Sequence, residues 1–489
     1  MKIKILCLQL ARLGDIYQTW PTLSALRRKH PCADIHFLVR ERFSDAAVGL
    51  QSVDKVLQLK TQDILEPYLR MNPNPATAMK RLEEFLEPLK NEKYDFIVNL
   101  SFSPFSSFLV DYLAGPNTVI AGYSRHRDGF FNTADDASSY FYSQVGVERS
   151  NRIHITDLFA LVAGVELTPA DFKGPNLKFE IERPEKYIVI HIGASDTKKS
   201  CDSQTWRSLI DKTLSLYQGE IVIVGAKHEE SLISDWPAHP RILNKLGAYQ
   251  LAEIFELLKA SEAVLGCDSV VMHMASLVNT PSLNLSFSTV KFWETGPRAD
   301  ISRILWFDDT TGVEVDRVVD ELMLIINRQP SSALTIEKTE PSGVLYTLKG
   351  YTEDNFSWEL TRALYMEAPF PRAERANVLA GFARLFELSN LGLEQLHLIE
   401  QNPSQRDMAI SILNEVDHLI DVVGQLARDV QPVVRWFQGE KLRIGPENFS
   451  TVIDKTKKVF SKLKDISEVY CIQNSLTGEL NEGDMNWKL

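Results

Sequence analysis

One stretch near the start of the chain, ILCLQLARLGDIYQTWPTLSALRRKHP at residues 5–31, constrains the fold most strongly. A short apolar run at 5–10 meets Arg12-Leu13-Gly14-Asp15, and a helical pattern with a basic end follows. This order of strand, tight glycine turn and helix is typical of the opening unit of a doubly wound α/β domain. Ligands of such sheets lie at the carboxyl ends of the strands. We therefore expect the turn that carries Gly14 and Asp15 to face a site.

Further strands are predicted along the first half of the chain, because short apolar runs alternate there with helical patterns. The runs lie at 35–39, 56–59, 94–100 and 119–122. Such alternation indicates βαβ units and a parallel sheet. Residues 61–92, with an amphipathic helix at 76–90, are predicted to be an insertion over the sheet. Residues 124–127 follow the Gly122 turn, and either solvated loop charges or a binding patch would explain them.

A second region of the same style begins after Pro184. Strands are predicted at 187–191, 221–224, 263–266 and 281–285, with a helix at 251–260. Two Rossmann-like halves that face each other across a cleft are the simplest architecture for this pattern. We predict an α/β fold with domains at 1–180 and 181–340, followed by an all-α region at 341–489.

Two loops of the second half suit a nucleotide diphosphate. A small-residue loop ends at Ser195 and precedes Lys198 and Lys199, so backbone N–H groups, a hydroxyl and an ammonium group could hold phosphate oxygens. A solvated lysine pair is the alternative. Asp268 and Ser269 stand where a helix N-cap belongs. They either cap that helix or help its N-terminus to bind an anion.

Glu229 and His273 each allow two interpretations. Glu229 follows the strand at 221–224, where an acidic side chain could accept hydrogen bonds from ribose hydroxyls. It could equally be a helix-N-terminal glutamate that the helix dipole favours. His273 lies one turn into the helix after Asp268 and could face the cleft, but from its position alone a packed core histidine is favoured.

Composition excludes several classes of protein. The formal charge of −12 over 489 residues argues against a general nucleic-acid binder. The five cysteines are scattered, with no C-x-x-C pair and no His/Cys cluster, so we expect reduced thiols in a cytoplasmic protein and no metal site. No apolar run is long enough to predict a membrane span, and the short N-terminal run meets Arg12 and Asp15 too soon for a signal peptide. Any membrane contact would therefore be peripheral.

The α/β pattern stops at about residue 340. Residues 354–367 are predicted to form a helix that crosses back to the first domain, and another helix is expected at 372–388. A heptad seam follows at Ile412, Val416, Leu419, Val423, Leu426, Val430, Val433 and Phe437. Pro432 should kink this helix, and a similar pattern after about residue 446 predicts a helical hairpin within a small bundle. The bundle could pack within the chain or form a homo-oligomer or partner interface, and 475–489 should be a frayed tail.

Taken together, four motifs resemble the heptosyltransferase-type glycosyltransferases of the ninth glycosyltransferase family, over roughly residues 1–335. Residues 268–273, Asp-Ser-Val-Val-Met-His, are similar to the Asp-Thr-Gly-Pro-Met-His of that family. The other three motifs are Arg12-Leu13-Gly14-Asp15 with Pro21, the stretch from His191 through Lys199 to Trp206, and Gly225-Ala226-Lys227-His228-Glu229-Glu230. Each motif alone is weak, but the combination is specific.

The resemblance implies a GT-B fold and an inverting, metal-independent transfer of a sugar from a nucleotide sugar, typically ADP-heptose, without a cofactor. It implies that Asp15 is the general base and that Lys199 contacts the diphosphate. The donor site would be lined by Gly14, Ser195, Asp268, Ser269 and His273, with Glu229 holding the nucleoside. The acceptor would bind mainly to the N-terminal domain. It would be a hydroxyl of a bacterial surface glycan, a glycolipid or a glycoprotein.

Two departures from the family pattern bear on the donor sugar. Val270 stands where the family usually has glycine, which crowds the approach of a diphosphate to the helix N-terminus. Residues 200–202 lack the usual Trp-Pro. A GT-B enzyme that uses a UDP- or GDP-sugar, and a catalytically inactive scaffold, are therefore alternatives. Asp15 itself could instead be the N-cap of the first helix.

Overall fold

The computed structural model describes residues 2–146, 148–194, 196–330, 334–339, 343–348 and 356–477. The chain forms two compact units. The first unit comprises Met1–Gly122 and Arg152–Tyr351, and the second comprises Tyr123–Asn151 and Thr352–Leu489. The predicted division into domains at residues 1–180, 181–340 and 341–489 is not tested by these two units and stays a prediction.

The first sheet of the first unit is parallel and has the strand order β3-β2-β1-β4-β5. Its strands are β1 Lys4–Gln9, β2 Asp34–Arg40, β3 Lys55–Leu59, β4 Phe96–Asn99 and β5 Val119–Arg125. The accompanying helices are α1 Leu13–Lys29, α2 Thr61–Leu69, α3 Pro75–Asn91 and α4 Pro104–Leu113. Ile5 to Leu8 of β1 are fully buried, as expected for a central strand covered on both faces. The predicted parallel sheet is confirmed.

The second sheet is also parallel, with the strand order β12-β11-β10-β7-β8-β9. Its strands are β7 Tyr187–His191, β8 Glu220–Val224, β9 Ile242–Asn244, β10 Val264–Cys267, β11 Ser282–Phe287 and β12 Ser302–Phe307. Helices α6 Ile155–Val162, α7 Ser203–Leu216, α8 Ile254–Ala260, α9 Val270–Leu277, α10 Phe292–Thr295 and α11 Val315–Ile326 complete these layers. Strands β9 and β12 were not predicted from the sequence.

Helix α1 joins the two halves of the first unit. Its Tyr17 and Trp20 are buried against Phe255 of α8, with ring centroids 5.5 and 5.9 Å from the Phe255 ring. Aromatic side chains of this size bury a large apolar area, so they stabilise the contact strongly. As a result, the turn before α1 is held next to helices that follow strands of the second sheet.

The second unit is largely helical. In it, residues 123–125 of β5 pair antiparallel with β6 Phe131–Thr133. Its helices are α5 Asp136–Gln144, α12 Phe356–Tyr365, α13 Ala376–Gln401, α14 Arg406–Leu426, α15 Gln431–Leu442 and α16 Phe449–Thr477. A core of buried side chains, including Phe382, Val416, Phe437 and Phe460, holds the bundle together. The predicted C-terminal all-α region is confirmed.

One local prediction in the bundle needs correction. The seam that ends at Phe437 does not belong to one helix kinked at Pro432, because α14 ends at Leu426 and α15 begins at Gln431. Pro432 lies in the first turn of α15, where the backbone N–H groups have no intrahelical partner and proline costs little. Segment 123–151 also contributes to this unit: the Gln144 side-chain amide donates to the Pro432 carbonyl oxygen over 3.1 Å.

Other predictions on the tail fall partly outside the described residues. Helix α12 occupies most of the predicted 354–367 helix, and α13 extends the predicted 372–388 helix to Gln401. The described part of the predicted tail continues α16 to Thr477, and residues 478–489 lie outside the described residues. In the part of the chain that the structure describes, no helix is both long and apolar enough to cross a membrane.

Candidate active site

Asp15 lies in the first turn of α1, which follows the central strand β1. Arg12, not Asp15, is the N-cap residue, so the alternative that made Asp15 the cap is wrong. The Asp15 carboxylate nevertheless takes part in capping, since its Oδ2 accepts a hydrogen bond from the Arg12 backbone N–H over 2.9 Å. The other oxygen, Oδ1, has no hydrogen-bond partner among the described residues. Burial raises the pKa of Asp15, against the opposing effects of the Arg12 N–H and of His273.

His273 of α9 lies directly against the first turn of α1. A Cβ atom at Gly14 would be 2.9 Å from His273 Cδ2 and 3.1 Å from Nε2, so glycine allows the two elements to approach this closely. The ring is half-buried and faces α1, which does not fit a packed core histidine. Burial lowers the pKa of His273 to about 4, although Asp15 attracts a proton to it. At neutral pH the imidazole is therefore uncharged.

Lys199 ends the short 3-10 helix Thr197–Lys199 after β7. The Lys199 side chain is half-buried. Its positive charge is close enough to oppose the rise in the pKa of Asp268 that burial causes. Lys199 and Asp268 therefore lie on the same edge of the second sheet, as predicted from their positions after β7 and β10. Ser195 lies outside the described residues.

The start of α9 is not capped by a side chain. Ser269 is the N-cap residue and has an extended backbone, but it makes no capping hydrogen bond. Its hydroxyl is buried and has no partner among the described residues. Asp268 instead accepts a hydrogen bond from the Thr295 hydroxyl over 2.8 Å. The interpretation of these two residues as ordinary caps is therefore wrong, and the first N–H groups of α9 remain available to an anion.

Glu229 lies where the loops after β7 and β8 meet. Its Oε2 accepts a hydrogen bond from the Ala226 backbone N–H over 2.7 Å, so it serves the N-terminus of a short 3-10 helix, Lys227–Leu232. A Cβ atom at Gly193 or at Gly225 would overlap the Glu229 carboxylate. Both glycines are therefore needed for this carboxylate to reach the sheet edge. The local pattern indicated Glu229, but only the fold reveals why the two glycines are there.

Residues 124–127 belong to the second unit and have structural contacts there. His126 Nε2 lies 2.7 Å from the Leu442 carbonyl oxygen, and Arg125 donates to the Gly129 carbonyl oxygen over 3.0 Å. His126 is hydrogen-bonded to the last residue of α15, Leu442. Neither interpretation of these residues, as solvated loop charges or as a binding patch, describes it.

The structure brings the predicted residues together in two groups. Gly14 and Asp15 meet His273, and Lys199 lies close to Asp268 beside the uncapped start of α9. One residue that the sequence did not indicate, Gln18, joins the first group through a contact with His273. Within the described residues, no group of three or more His, Cys, Asp or Glu side chains could hold a metal ion. A carboxylate thus lies on one half, and cationic and N–H donors for an anion lie on the other.

Two Rossmann-like halves with these groups at their strand ends are the architecture of a GT-B fold. Solved structures support the fold. A glycosyltransferase family 9 protein from Veillonella parvula superposes with a TM-score of 0.53 at 15% identity, covering 67% of this chain and 98% of that one. Escherichia coli heptosyltransferase WaaC with ADP has a TM-score of 0.50 at 15% identity, covering 66% and 100%.

Sequence comparisons show a similarity to one family. The family model "Glycosyltransferase family 9 (heptosyltransferase)" matches residues 83–318. Lipopolysaccharide heptosyltransferase 3 of Escherichia coli is 24% identical over 57% of this chain and 82% of its own length. Lipopolysaccharide heptosyltransferase 1 of Campylobacter coli is 21% identical over 62% and 89%. The protein is a glycosyltransferase, and its residues 83–318 are similar to family 9. Gly14 and Asp15 precede the matched segment, whereas Lys199, Glu229 and His273 lie within it.

Proposed function

We propose that this protein transfers heptose from ADP-heptose to a hydroxyl of a lipopolysaccharide core, with inversion and without a metal ion or cofactor. The names of the curated relatives and of the family support the donor sugar and the acceptor class. One structural observation carries the proposal. The Asp15 carboxylate lies close to His273, which belongs to α9, and the uncapped start of this helix could bind an anion.

Asp15 acts as the general base in this proposal. Inversion requires one displacement, in which the acceptor oxygen attacks the anomeric carbon while the diphosphate leaves from the opposite face. A carboxylate that reaches the attacking hydroxyl removes its proton as the new bond forms. Oδ2 is held by the Arg12 N–H, which fixes the carboxylate and leaves Oδ1 for the acceptor. The raised pKa of Asp15 makes it a stronger base than an ordinary aspartate.

Lys199 and the start of α9 bind the departing diphosphate in this proposal. An ammonium group and free helix N–H groups stabilise the negative charge that develops on the leaving group. The buried Ser269 hydroxyl, which has no partner among the described residues, would donate to a phosphate oxygen. Asp268 would orient Lys199, and Glu229 would accept hydrogen bonds from the ribose. Because these groups supply the positive charge and the donors, the step needs no metal ion.

The acceptor and partners follow from the same proposal. A lipopolysaccharide core is built on a lipid, so we propose that the enzyme acts in the cytoplasm and touches the inner face of the inner membrane peripherally. The bundle α13–α16 would form either an intrachain support or a contact between copies. No role for nucleic acid is proposed, in keeping with the net charge of −12.

Val270 favours a second candidate, a GT-B enzyme that uses a UDP- or GDP-sugar. This residue opens α9 and is half-buried, so its branched side chain narrows the approach to the helix start. A different diphosphate or sugar placement would accommodate that side chain. We retain ADP-heptose as the first choice because the family match covers the loops that carry Lys199 and Glu229.

A donor screen tests the proposal. Thermal unfolding and calorimetry with ADP, UDP and GDP, followed by their sugars, should show the tightest binding for ADP and ADP-heptose. Product analysis should then show transfer to heptose-deficient lipopolysaccharide that is unaffected by EDTA. Preference for UDP or GDP would replace ADP-heptose by the second candidate. Failure to bind any of these nucleotides would favour a catalytically inactive scaffold.

A further inference from the structure

Gln18 lies one turn after Asp15 on α1, and its side chain is directed to α9. The residue is 4% exposed, and its amide Nε2 lies 3.3 Å from His273 Nδ1. An amide nitrogen can only donate a hydrogen bond, so Nδ1 must accept with its lone pair. The proton of the neutral ring is then on Nε2. Gln18 thus selects one tautomer of His273.

The opposite edge of the His273 ring lies over the first turn of α1. The Nε2 atom is 3.1 Å from the position that a Cβ atom of Gly14 would occupy. The N–H of this edge is therefore next to the turn that carries Asp15. A second proton, on Nδ1, would create an imidazolium beside the proposed base. An opposite charge at this distance would lower the pKa of Asp15 and weaken it as a proton acceptor.

Titratable and charged groups on three elements lie around His273, and of these only Asp15 favours its protonation. On α1, Asp15 is the acidic group that attracts a proton to the ring. Before α6, His154 is buried, and burial lowers its own pKa well below the ordinary value. After α10, Arg298 is paired with Asp157 over 2.8 Å, and its positive charge lowers the pKa of His154 further. Among the described residues, the opposing influences on the pKa of His273 are thus Asp15, which raises it, and burial, which lowers it.

We propose that Gln18 is a positioning residue for sugar transfer: by donating to His273 Nδ1 it keeps the imidazole neutral, with Nε2–H over Gly14, and so preserves Asp15 as an unpaired base. The proposal rests on the proposed function of Asp15. Gln18 would touch neither the donor nor the acceptor and would act only through His273.

Histidine-selective 15N NMR of the full chain, without substrates, tests the tautomer. In the wild type, His273 Nδ1 should be unprotonated and Nε2 protonated throughout the neutral range, with the His273 signal assigned by its loss in His273→Gln. In Gln18→Glu, the carboxylate would accept from Nδ1–H and raise the pKa of His273 by about one unit or more. Gln58→Glu, which adds the same charge at an exposed position of β3, should leave the His273 titration unchanged. A protonated Nδ1 in the wild type, or an unmoved titration in Gln18→Glu, would overturn the proposal.

Kinetics test the consequence for transfer. Gln18→Met loses the hydrogen bond without adding charge, and we expect kcat to fall about 3–10-fold with donor KM within about twofold. Gln18→Glu should lose more activity in the acid range, where the raised His273 pKa leaves the ring protonated, and should recover as pH rises through that pKa. Wild-type kcat and pH profiles in both variants would refute the role of Gln18. A wild-type chain that transfers no sugar would refute the proposed function instead. If Gln18→Met does not fold, the role of Gln18 is tested by the titration of His273 in Gln18→Glu and by the His273 tautomer in the wild type.

Discussion

The first turns of α1 and α9 both follow central strands of parallel sheets, but their free backbone N–H groups are treated differently. In α1, the Asp15 carboxylate accepts from the Arg12 N–H and places a negative charge at the helix start. In α9, Ser269 makes no capping bond and its hydroxyl is buried without a partner among the described residues. Since a helix N-terminus attracts anions unless a carboxylate occupies it, only α9 is suited to a diphosphate. The half that contains α1 thus supplies the proposed base, and the half that contains α9 supplies the proposed anion site.

The largest expected effect comes from removing the carboxylate from α1. Asp15→Asn should lower kcat by about 10²–10⁴-fold, because general-base catalysis is lost. The asparagine oxygen can still accept from the Arg12 N–H, so the melting temperature should not fall. Asp63→Asn, a neutral change in the first turn of α2, is the matched control. Steady-state transfer with ADP-heptose measures the effect, and near-normal turnover by Asp15→Asn would remove Asp15 from the mechanism.

The next largest effect is expected for ADP binding when the positive charge of Lys199 is removed. Lys199→Met should weaken ADP binding by about 10–100-fold, since charge-assisted contacts with phosphate are roughly twice as strong as neutral ones. Lys198→Met changes the exposed neighbouring lysine and should alter affinity less than about threefold. Calorimetry of both variants with ADP gives the comparison. Equal losses in the two variants would mean that only the general positive charge of this loop matters.

The contact between the two helix starts can be broken at Gly14. In Gly14→Ala, the new methyl group would lie 2.9 Å from His273 Cδ2, so the ring or α1 must move. We expect a loss of about 1–3 kcal/mol in the free energy of unfolding and a clear fall in kcat. Gly115→Ala is the control, because its nearest neighbour atom, Thr118 Oγ1, is 3.6 Å away. Chemical denaturation would show whether Gly14 is indeed the costlier site.

A smaller effect should separate binding from stability at Ser269. Ser269→Ala removes a buried hydroxyl that has no partner among the described residues, so the free protein should be equally or more stable. ADP affinity should nevertheless fall by about 2–10-fold. Ser203→Ala should behave in the opposite way, because its hydroxyl accepts from Trp236 Nε1 over 3.1 Å and bonds to the Leu232 carbonyl. Destabilisation of the free protein by Ser269→Ala would contradict the uncapped start of α9.

The smallest expected effect is a shift in the pH dependence of kcat and of the free energy of unfolding. Burial raises the pKa of Asp15, so the folded chain binds this proton more tightly than the unfolded chain does. The contribution of Asp15 to the free energy of unfolding therefore falls as pH rises from the ordinary aspartate pKa through the raised one. The acid limb of the kcat profile should lie above the range of an ordinary aspartate. Asp15→Asn should lack this dependence, and an acid limb below pH 4 would contradict the raised pKa.

Much of the fold could be predicted because its signals are local. Apolar runs such as residues 5–8 and 187–191 specify buried strands, and their alternation with helical patterns specifies parallel sheets. Strand ends also locate Asp15, Lys199, Glu229 and Asp268 at one edge of their sheets, as observed. Short strand β9 was missed because three residues carry too little periodicity. The supposed kink at Pro432 was wrong because a heptad spacing persists across a break between two helices.

The sequence by itself determined which residues could do chemistry, since composition, strand-end position and motif order depend on neighbours along the chain. Only the tertiary structure decided how they are used. The contact between Gln18 and His273 joins positions 255 apart, and the space at Gly193 is filled by the Glu229 carboxylate, which comes from the loop after the next strand. Which helix start is capped is likewise a matter of side-chain geometry, because Asp15 and Ser269 both have residue types that cap helices. The physical reason is that burial and hydrogen bonding depend on distance in space.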